Sequence, residues 1–117
     1  MKIGEIWLAN LDPTIGTEKK KTRPVVVVNA GHKKNLRLAI VMPVISYKQQ
    51  WEKNPFLVVL DPSKQSGLSK KSNVDCFQIR CLSHRRFVKK YGTVPAPEFD
   101  RIKTALALIL DIEEQNL

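Results

Sequence analysis

The chain has 117 residues, with 20 lysines and arginines against 11 aspartates and glutamates, so its net charge is +9. A chain of this length is expected to form one domain, residues 1–117, around a single core. Its longest apolar runs, at residues 25–28 and 39–45, are much shorter than the roughly 20 residues of a membrane-spanning helix. The N-terminus, MKIGEIW, also lacks the apolar stretch of a signal peptide. We therefore expect a cytoplasmic protein that makes no membrane contact.

The excess of positive charge indicates the kind of partner. Lysines and arginines in such number favour a polyanion, such as RNA, DNA or an acidic protein segment. The simpler alternative is a generally basic, solvated surface without a specific partner.

The cysteines, Cys76 and Cys81, indicate neither a disulfide framework nor a metal site. An oxidised secreted domain of this size usually carries more of them, and on one strand their odd spacing would send the side chains to opposite faces. Cys81 with His84 gives at most three soft ligands, whereas structural zinc sites use four. We expect two reduced, partly buried thiols, no metal and no cofactor.

The first quarter of the chain predicts two strands joined by a charged loop. Residues 5–11 (EIWLANL) carry apolar groups on both faces, as a strand packed on two sides does. Asp12 and Pro13 predict a turn, and the glycine and lysines that follow predict a solvated loop. Because the residue before a proline is pushed into an extended conformation, Arg23 is expected to project from the start of a strand that runs through residues 25–28 (VVVV).

Three further strands are predicted at residues 36–45, 55–60 and 73–82. Pro43 lacks a donor for the strand ladder, so it marks a bulge or an edge near the end of the first of these. In the third, alternation places Gln78 and Arg80 side by side on a half-exposed sheet surface.

The last third of the chain predicts helices around one short strand. Ser83 is expected to cap a short helix at residues 84–90, and a short strand follows at residues 91–94. Pro95 and Pro97 lead into a C-terminal helix whose apolar residues recur at helical spacing: Phe99, Ile102, Ala105, Leu106, Ile109 and Leu110. The sum is a mainly β fold with helices (α+β). It has five or six mostly antiparallel strands in a small, partly open barrel, with the C-terminal helix packed on it.

Several common catalytic motifs do not occur in this sequence. It has no glycine-rich phosphate loop and no paired-histidine motif for a hydrolytic metal. A Ser-His-Asp triad would need His32 or His84, both in basic, solvated segments where nothing else positions them.

RNA cleavage without a metal needs fewer groups, because the ribose 2′-OH can attack its own phosphodiester. An arginine at a strand start suits the developing charge, since its planar fork matches phosphate oxygens. Arg23 fits this role, and the alternative for it is an ion pair with Glu18 or Asp12. The hydroxyl of Ser46 can hydrogen-bond the phosphate, and the alternative for it is a turn-capping serine.

Several motifs occur in a characteristic order along nearly the whole chain: GEIW, LDPT, a glycine with Glu18, TRP before the valines, MPVIS, QIR and the terminal PEFDRIKTALALIL. This set resembles the MazF/PemK toxins, the growth-inhibiting halves of type II toxin–antitoxin pairs. The resemblance implies a small SH3-like, CcdB-like barrel that forms a homodimer. It also implies a sequence-specific, metal-independent endoribonuclease that cleaves single-stranded RNA or mRNA, and a cognate antitoxin that binds across the site with an acidic, disordered tail.

The resemblance assigns roles to individual residues. Arg23 takes the position of the family's catalytic arginine before proline. The catalytic threonine falls at Ile45, and Ser46 lies one place later. Since neighbours on a strand face opposite ways, Ser46 replaces the threonine only if Pro43 introduces a bulge. The expected catalytic residues are Arg23 and Ser46, with Thr17 or Thr22 as other sources of a hydroxyl. The expected RNA-binding residues are Glu18, Lys20, Lys21, Thr22, Gln78 and Arg80.

Two functions stay open at this point. PemK-like members also use a histidine, an acid and an arginine, and these positions hold Thr17, Phe77 and Asp75. The first function is an active ribonuclease that relies on Arg23 and a hydroxyl. The second is a binding module of the same fold with weak or no cleavage, acting through RNA, an antitoxin or another protein.

Overall fold

The computed structural model describes residues 1–11, 22–31 and 36–113. In these residues it has seven strands and one α-helix. The strands are β1 (Glu5–Asn10), β2 (Thr22–Asn29), β3 (Leu38–Ser46), β4 (Leu57–Leu60), β5 (Ser72–Asp75), β6 (Arg80–Ser83) and β7 (Phe87–Thr93). The helix is α1 (Ala96–Ile109), and short 3₁₀ turns lie at Gln49–Trp51, Cys76–Gln78 and His84–Arg86. The predicted turn at Asp12 and the lysine-rich loop lie outside the described residues.

The sheet is built around β3, which pairs with three other strands. The strand order is β4-β5-β3-β2-β1-β7, every pairing is antiparallel, and β6 also pairs with β3. Along one side of β3, its first half (Leu38 to Val41) pairs with β6 and its end (Val44 to Ser46) pairs with β5. The sheet therefore forms an open, barrel-like structure, as predicted. Within the described residues the sheet has seven strands rather than five or six.

Alternation along β2 divides the apolar residues into two clusters, one on each face of the sheet. Val26 belongs to the cluster that α1 covers, together with Ile6 and Met42. Val25 and Val27 belong to the cluster on the other face. The expectation that β1 packs on two sides is thereby confirmed, because its residues contribute to both clusters.

The C-terminal helix packs on the first cluster much as its spacing predicts. Ile102 and Ala105 are buried, and Phe99, Leu106 and Ile109 pack against the cluster. Leu110 is instead 56% exposed. In the parts of the chain that the structure describes, no helix is both long and apolar enough to span a bilayer.

The predicted strand at residues 73–82 is wrong as a single element. Asp75 ends β5, because its Oδ1 accepts a hydrogen bond from the backbone N–H of Phe77 at 3.2 Å and its Oδ2 accepts one from Gln78 Nε2 at 2.8 Å. These bonds stabilise a 3₁₀ turn that interrupts the alternation. Gln78 lies in that turn and Arg80 begins β6, so the two side chains do not share one flat sheet surface.

The predicted helix at residues 84–90 is mostly strand. Ser83 does cap a helical turn, since its Oγ accepts a hydrogen bond from Arg85 N–H at 3.3 Å. The turn ends at Arg86, and Phe87 begins β7. Pairing with β1 explains the difference, because Ala9 lies opposite Phe87 and Trp7 lies opposite Lys90.

Pro43 introduces no bulge in β3. Val25, Val26 and Val27 lie opposite Pro43, Met42 and Val41 without a register shift. On the other side of β3, Pro43 lies between Val41, which pairs with β6, and Val44, which pairs with β5. A residue without an N–H is tolerated in such a gap, which is a local edge.

The cysteines lie in different elements. Cys76 is buried in the 3₁₀ turn and Cys81 is exposed on β6, and both are free thiols. Burial, with a further contribution from the Asp75 carboxylate, raises the pKa of Cys76 to about 12. That thiol is therefore protonated at neutral pH.

The loop between β4 and β5 (residues 61–71) closes the structure against β7. The N–H of Thr93 donates a hydrogen bond to the Gln65 carbonyl at 2.8 Å. A Cβ at Gly92 would collide with the backbone of Gln65 and Ser66. Glycine at this position allows the loop and the strand to approach this closely.

We predict that Gly92→Ala lowers the free energy of unfolding by about 3 kcal/mol, because backbone atoms cannot relax as a side chain does. Urea denaturation measures the difference. Gly4→Ala is the control: Gly4 has φ of +89° but nothing within 4 Å of an added Cβ, so only the backbone strain of about 1 kcal/mol is expected. Equal losses in the two variants would contradict the close approach.

Candidate functional site

A groove of about 850 Å³ opens beyond the Val25–Pro43 pair, between the start of β2 and the end of β3, beside the β4–β5 loop and β7. It is lined by residues 22–24, 44–47, 67–72 and 89–91 and is called the basic groove below. Three of the residues singled out in the sequence, Thr22, Arg23 and Ser46, lie together in it.

Arg23 is positioned by the strand pairs at the start of β2. It lies opposite Ala9 of β1, and Pro24 lies opposite Leu8. The side chain of Arg23 is exposed at the mouth of the groove. The prediction that Arg23 projects from the first residues of a strand is confirmed.

The register of β2 and β3 decides which groups share a face with Arg23. Val25 lies opposite Pro43, and side chains two residues apart on a strand share a face. Arg23 and Ile45 therefore lie on one face, whereas Ser46 and Thr22 lie on the other. Without a bulge at Pro43, Ser46 does not take over the direction of residue 45.

The charge of the groove is positive throughout its described lining. Besides Arg23, four lysines line it: Lys70, Lys71, Lys89 and Lys90. No acidic residue and no histidine occurs among the described lining residues. Cations gathered in a concave site concentrate the field and attract polyanions.

Sequence reasoning did not assign the lysines or Tyr47 to the site. The lysines form two Lys-Lys pairs, one before β5 and one within β7, about 20 residues apart in sequence. Only the closure of the β4–β5 loop on β7 brings the pairs together. The two lysine doublets themselves are the one signal that the sequence offers for them.

Two of the other predicted binding residues, Gln78 and Arg80, do not line the groove. Both side chains are exposed. Arg80 lies opposite Val41, in the first half of β3, whereas the groove is lined by the end of that strand. Glu18, Lys20 and Lys21 lie outside the described residues.

A second pocket, of about 430 Å³, adjoins the basic groove at Ile45. Besides Ile45, its lining combines three aromatic rings with one aliphatic and two polar side chains: Trp51, Phe56, Phe77, Leu57, Asn54 and Asp75. The rings of Phe56 and Phe77 are 5.5 Å apart, and Phe77 is 63% exposed. Exposed aromatic rings beside a cationic groove are suited to stacking with bases.

A buried amide lies beside the junction of the two pockets. Asn73 is opposite Ile45 in the β3–β5 pair and is 1% exposed. Its Nδ2 has no hydrogen-bond partner among the described residues. Such orphaned donors are uncommon in native structures and call for a specific explanation.

A buried carboxylate holds one of the groove lysines. Glu5 is 7% exposed. Its Oε2 lies 2.8 Å from Lys90 Nζ, and its Oε1 accepts hydrogen bonds from Trp7 Nε1 at 3.0 Å and from the Lys2 backbone N–H at 2.8 Å. Burial is the largest influence and would raise the pKa of Glu5. The hydrogen bonds and the Lys90 charge together outweigh it and lower the pKa to about 2.

Comparison with known proteins gives a consistent result. The family model of the PemK-like, MazF-like toxins of type II toxin–antitoxin systems matches residues 2–110. The chain is 36% identical to the Escherichia coli endoribonuclease PemK over 112 residues, covering 94% of this chain and 82% of that protein. It is also 36% identical to the Mycobacterium tuberculosis endoribonuclease MazF9 over 118 residues, covering 96% and 98%. A MazE–MazF crystal structure from Deinococcus radiodurans superposes with a TM-score of 0.77 at 25% identity, covering 97% of each chain.

The environment of Glu5 predicts a pH dependence of stability. Its pKa falls from the ordinary 4.5 to about 2 on folding, so the ionised form stabilises the fold above pH 4.5. That contribution, up to about 3 kcal/mol, is lost as the pH falls from 4.5 toward 2. We expect Glu5→Gln to lower the free energy of unfolding at pH 7 and to flatten its decline between pH 5 and pH 2.5, as measured by urea denaturation.

Asp100→Asn is the matched control for Glu5→Gln, because the Asp100 side chain is 75% exposed and lies 3.4 Å from Lys103 Nζ. Exposed pairs of this kind contribute little, so its pH profile should follow that of the unmodified protein. A Glu5→Gln profile identical to the unmodified one would show that Glu5 is not held in its ionised form.

Proposed function

Because the chain belongs to the PemK-like, MazF-like toxins of type II toxin–antitoxin systems, we propose that it is an endoribonuclease that cleaves single-stranded RNA at specific sequences and thereby inhibits growth. The observation that carries the proposal is the position of Arg23, fixed at a strand start in the mouth of a groove whose described charges are all positive. Relatives at 36% identity are named endoribonucleases, which supports the same activity here.

The proposed reaction is an internal transesterification. The ribose 2′-oxygen attacks the adjacent phosphorus, the bond to the 5′-oxygen breaks, and the products are a 2′,3′-cyclic phosphate and a 5′-OH. The guanidinium of Arg23 stabilises the charge that develops on the phosphoryl oxygens. Ser46 also lines the groove, at the end of β3, and donates a hydrogen bond to the phosphate from the face opposite to that of Arg23 and Ile45. The four lysines bind flanking phosphates and hold the strand in place.

The proposed chemistry needs no metal ion. The described groove lining offers guanidinium, ammonium and hydroxyl groups. Divalent cations such as magnesium instead prefer carboxylate and carbonyl oxygens. In the proposed reaction, Arg23 positions the phosphate and stabilises its developing charge, which a metal ion would otherwise do.

We propose three further properties from the same family assignment. The chain forms a homodimer, acts in the cytoplasm, and is neutralised by a cognate antitoxin with an acidic, disordered tail. The D. radiodurans structure is a complex of MazF with MazE, and the net charge of +9 complements an acidic segment.

One observation favours a second candidate function. Ile45 occupies the place of the hydroxyl that the family resemblance leads us to expect. A binding module of this fold, which binds RNA or another protein and has weak or no ribonuclease activity, would tolerate that change. Incubation of the purified protein with a mixed RNA pool, with and without EDTA, and mapping of the new ends separates the two functions.

We predict that Arg23→Ala lowers the rate of RNA cleavage at least about 100-fold, because one preorganised donor to a developing oxyanion contributes that much. Single-turnover rates at the mapped site measure the effect, and growth inhibition should be lost with it. Arg37→Ala is the control: Arg37 is also an exposed arginine but does not line the groove. Cleavage by Arg23→Ala at the unmodified rate would remove Arg23 from the reaction.

We predict that Ser46→Ala lowers the single-turnover cleavage rate at least about 10-fold, because the phosphate loses a hydrogen bond and a hydrogen bond to a charged group contributes about 1.5–3 kcal/mol. Ser46→Thr retains a hydroxyl at this position and should keep most of the activity. If alanine and threonine give the same rate, the Ser46 hydroxyl takes no part.

A further inference from the structure

A hydroxyl group lies on the face of Arg23 and Ile45, two residues beyond Ile45. Strand β3 ends at Ser46, but the N–H of Tyr47 still donates to the Lys71 carbonyl at 3.4 Å. The ladder with β5, in which Ser46 lies opposite Ser72, therefore continues for one more residue. Alternation then puts Tyr47 on the side of Ile45 and away from that of Ser46.

The contact between Tyr47 and Lys71 shows the same orientation independently. The ammonium of Lys71 lies 4.2 Å from the centroid of the Tyr47 ring. Ser72 is buried opposite Leu60, a member of the cluster under α1, so its neighbour Lys71 faces the other way. Tyr47 and Lys71 both line the basic groove, and the cation over the ring holds the half-buried phenol in place.

The other hydroxyls of the groove are less suited to act beside Arg23. Ser69 is exposed in the β4–β5 loop, where no strand pairing fixes its direction. The Oγ of Ser72 donates to the Lys70 carbonyl at 2.9 Å, and the Tyr91 ring packs against the cluster under α1. Ser46 and Thr22 lie on the opposite face. A phenol is long enough to reach back along the roughly 7 Å that separate alternate residues of a strand, over the apolar side chain of Ile45.

We propose that Tyr47 is a catalytic residue of the RNA cleavage, a role that rests on the proposed function. Its phenol donates the proton to the leaving 5′-oxygen. In this step the 2′-hydroxyl loses its proton to solvent, a 2′-oxygen lone pair forms the bond to phosphorus, and the P–O5′ bond breaks. The 5′-oxygen keeps that electron pair and takes the proton of Tyr47. The phenolate, next to the Lys71 ammonium, regains a proton from water.

The test compares two leaving groups at the mapped cleavage site. One RNA carries the natural 5′-oxygen, and the other carries a bridging 5′-sulfur, which leaves without needing a proton. We expect Tyr47→Phe to slow single-turnover cleavage of the oxygen substrate about 100-fold, the low end for general acid catalysis, and to leave the sulfur substrate within about threefold. Arg23→Ala should slow both, because charge stabilisation is needed for either leaving group.

Thr104→Ala is the control, since it removes a hydroxyl group from the exposed face of α1, outside the groove, and it should cleave both substrates normally. Circular dichroism and melting temperature check that each variant is folded. Equal slowing of both substrates by Tyr47→Phe, or no slowing of either, would overturn the proposed role while the ribonuclease function stands. An unmodified protein that cleaves neither substrate and no RNA of the pool would overturn the proposed function, and this role with it.

Discussion

The antiparallel register between β2 and β3 is the constraint on which the rest of the structure depends. Val25 lies opposite Pro43 without a shift, and a slip of one residue would exchange the two faces of each strand. The register assigns Val26 and Met42 to the cluster under α1 and Val25 to the other cluster. The same alternation, continued two residues along each strand toward the groove, puts Arg23 and Ile45 on the same face of the sheet. Core packing and site geometry are thus two consequences of one pairing.

The cations of the groove work against the fold while they serve the proposed function. Arg23 and four lysines repel one another across a cavity whose described lining contains no carboxylate. Lys90 is the exception, because its ammonium lies 2.8 Å from the Oε2 of Glu5, at the start of β1. The remaining lysines are exposed and hydrated, so their repulsion is screened by salt and solvent until a polyanion replaces the counterions.

Much of the framework could be predicted from local patterns, and the failures have identifiable causes. The Arg-Pro step predicted the start of β2, and apolar spacing predicted α1, because each pattern reflects steric or packing rules that act within a few residues. Alternation wrongly predicted one strand at residues 73–82. The Asp75 carboxylate accepts hydrogen bonds from the Phe77 backbone N–H and the Gln78 side chain, and these local bonds favour a turn over continued strand pairing. The lysines of the groove were not assigned because they meet only through a long-range contact, between the β4–β5 loop and β7.

Tyr47 shows what alternation can and cannot reveal about a site. In a strand, moving a hydroxyl by one residue, from position 45 to Ser46, changes the face on which it lies. Moving it by two residues, to Tyr47, keeps the face and requires only a longer side chain. From the sequence alone, Tyr47 lies beyond the predicted strand and has no assigned face. The hydrogen bond to the Lys71 carbonyl and the Lys71 ammonium over the ring extend the alternation to it. A strand that has lost a hydroxyl at one position can thus present another at the next residue of the same parity, provided that its neighbour strand continues far enough to fix that residue.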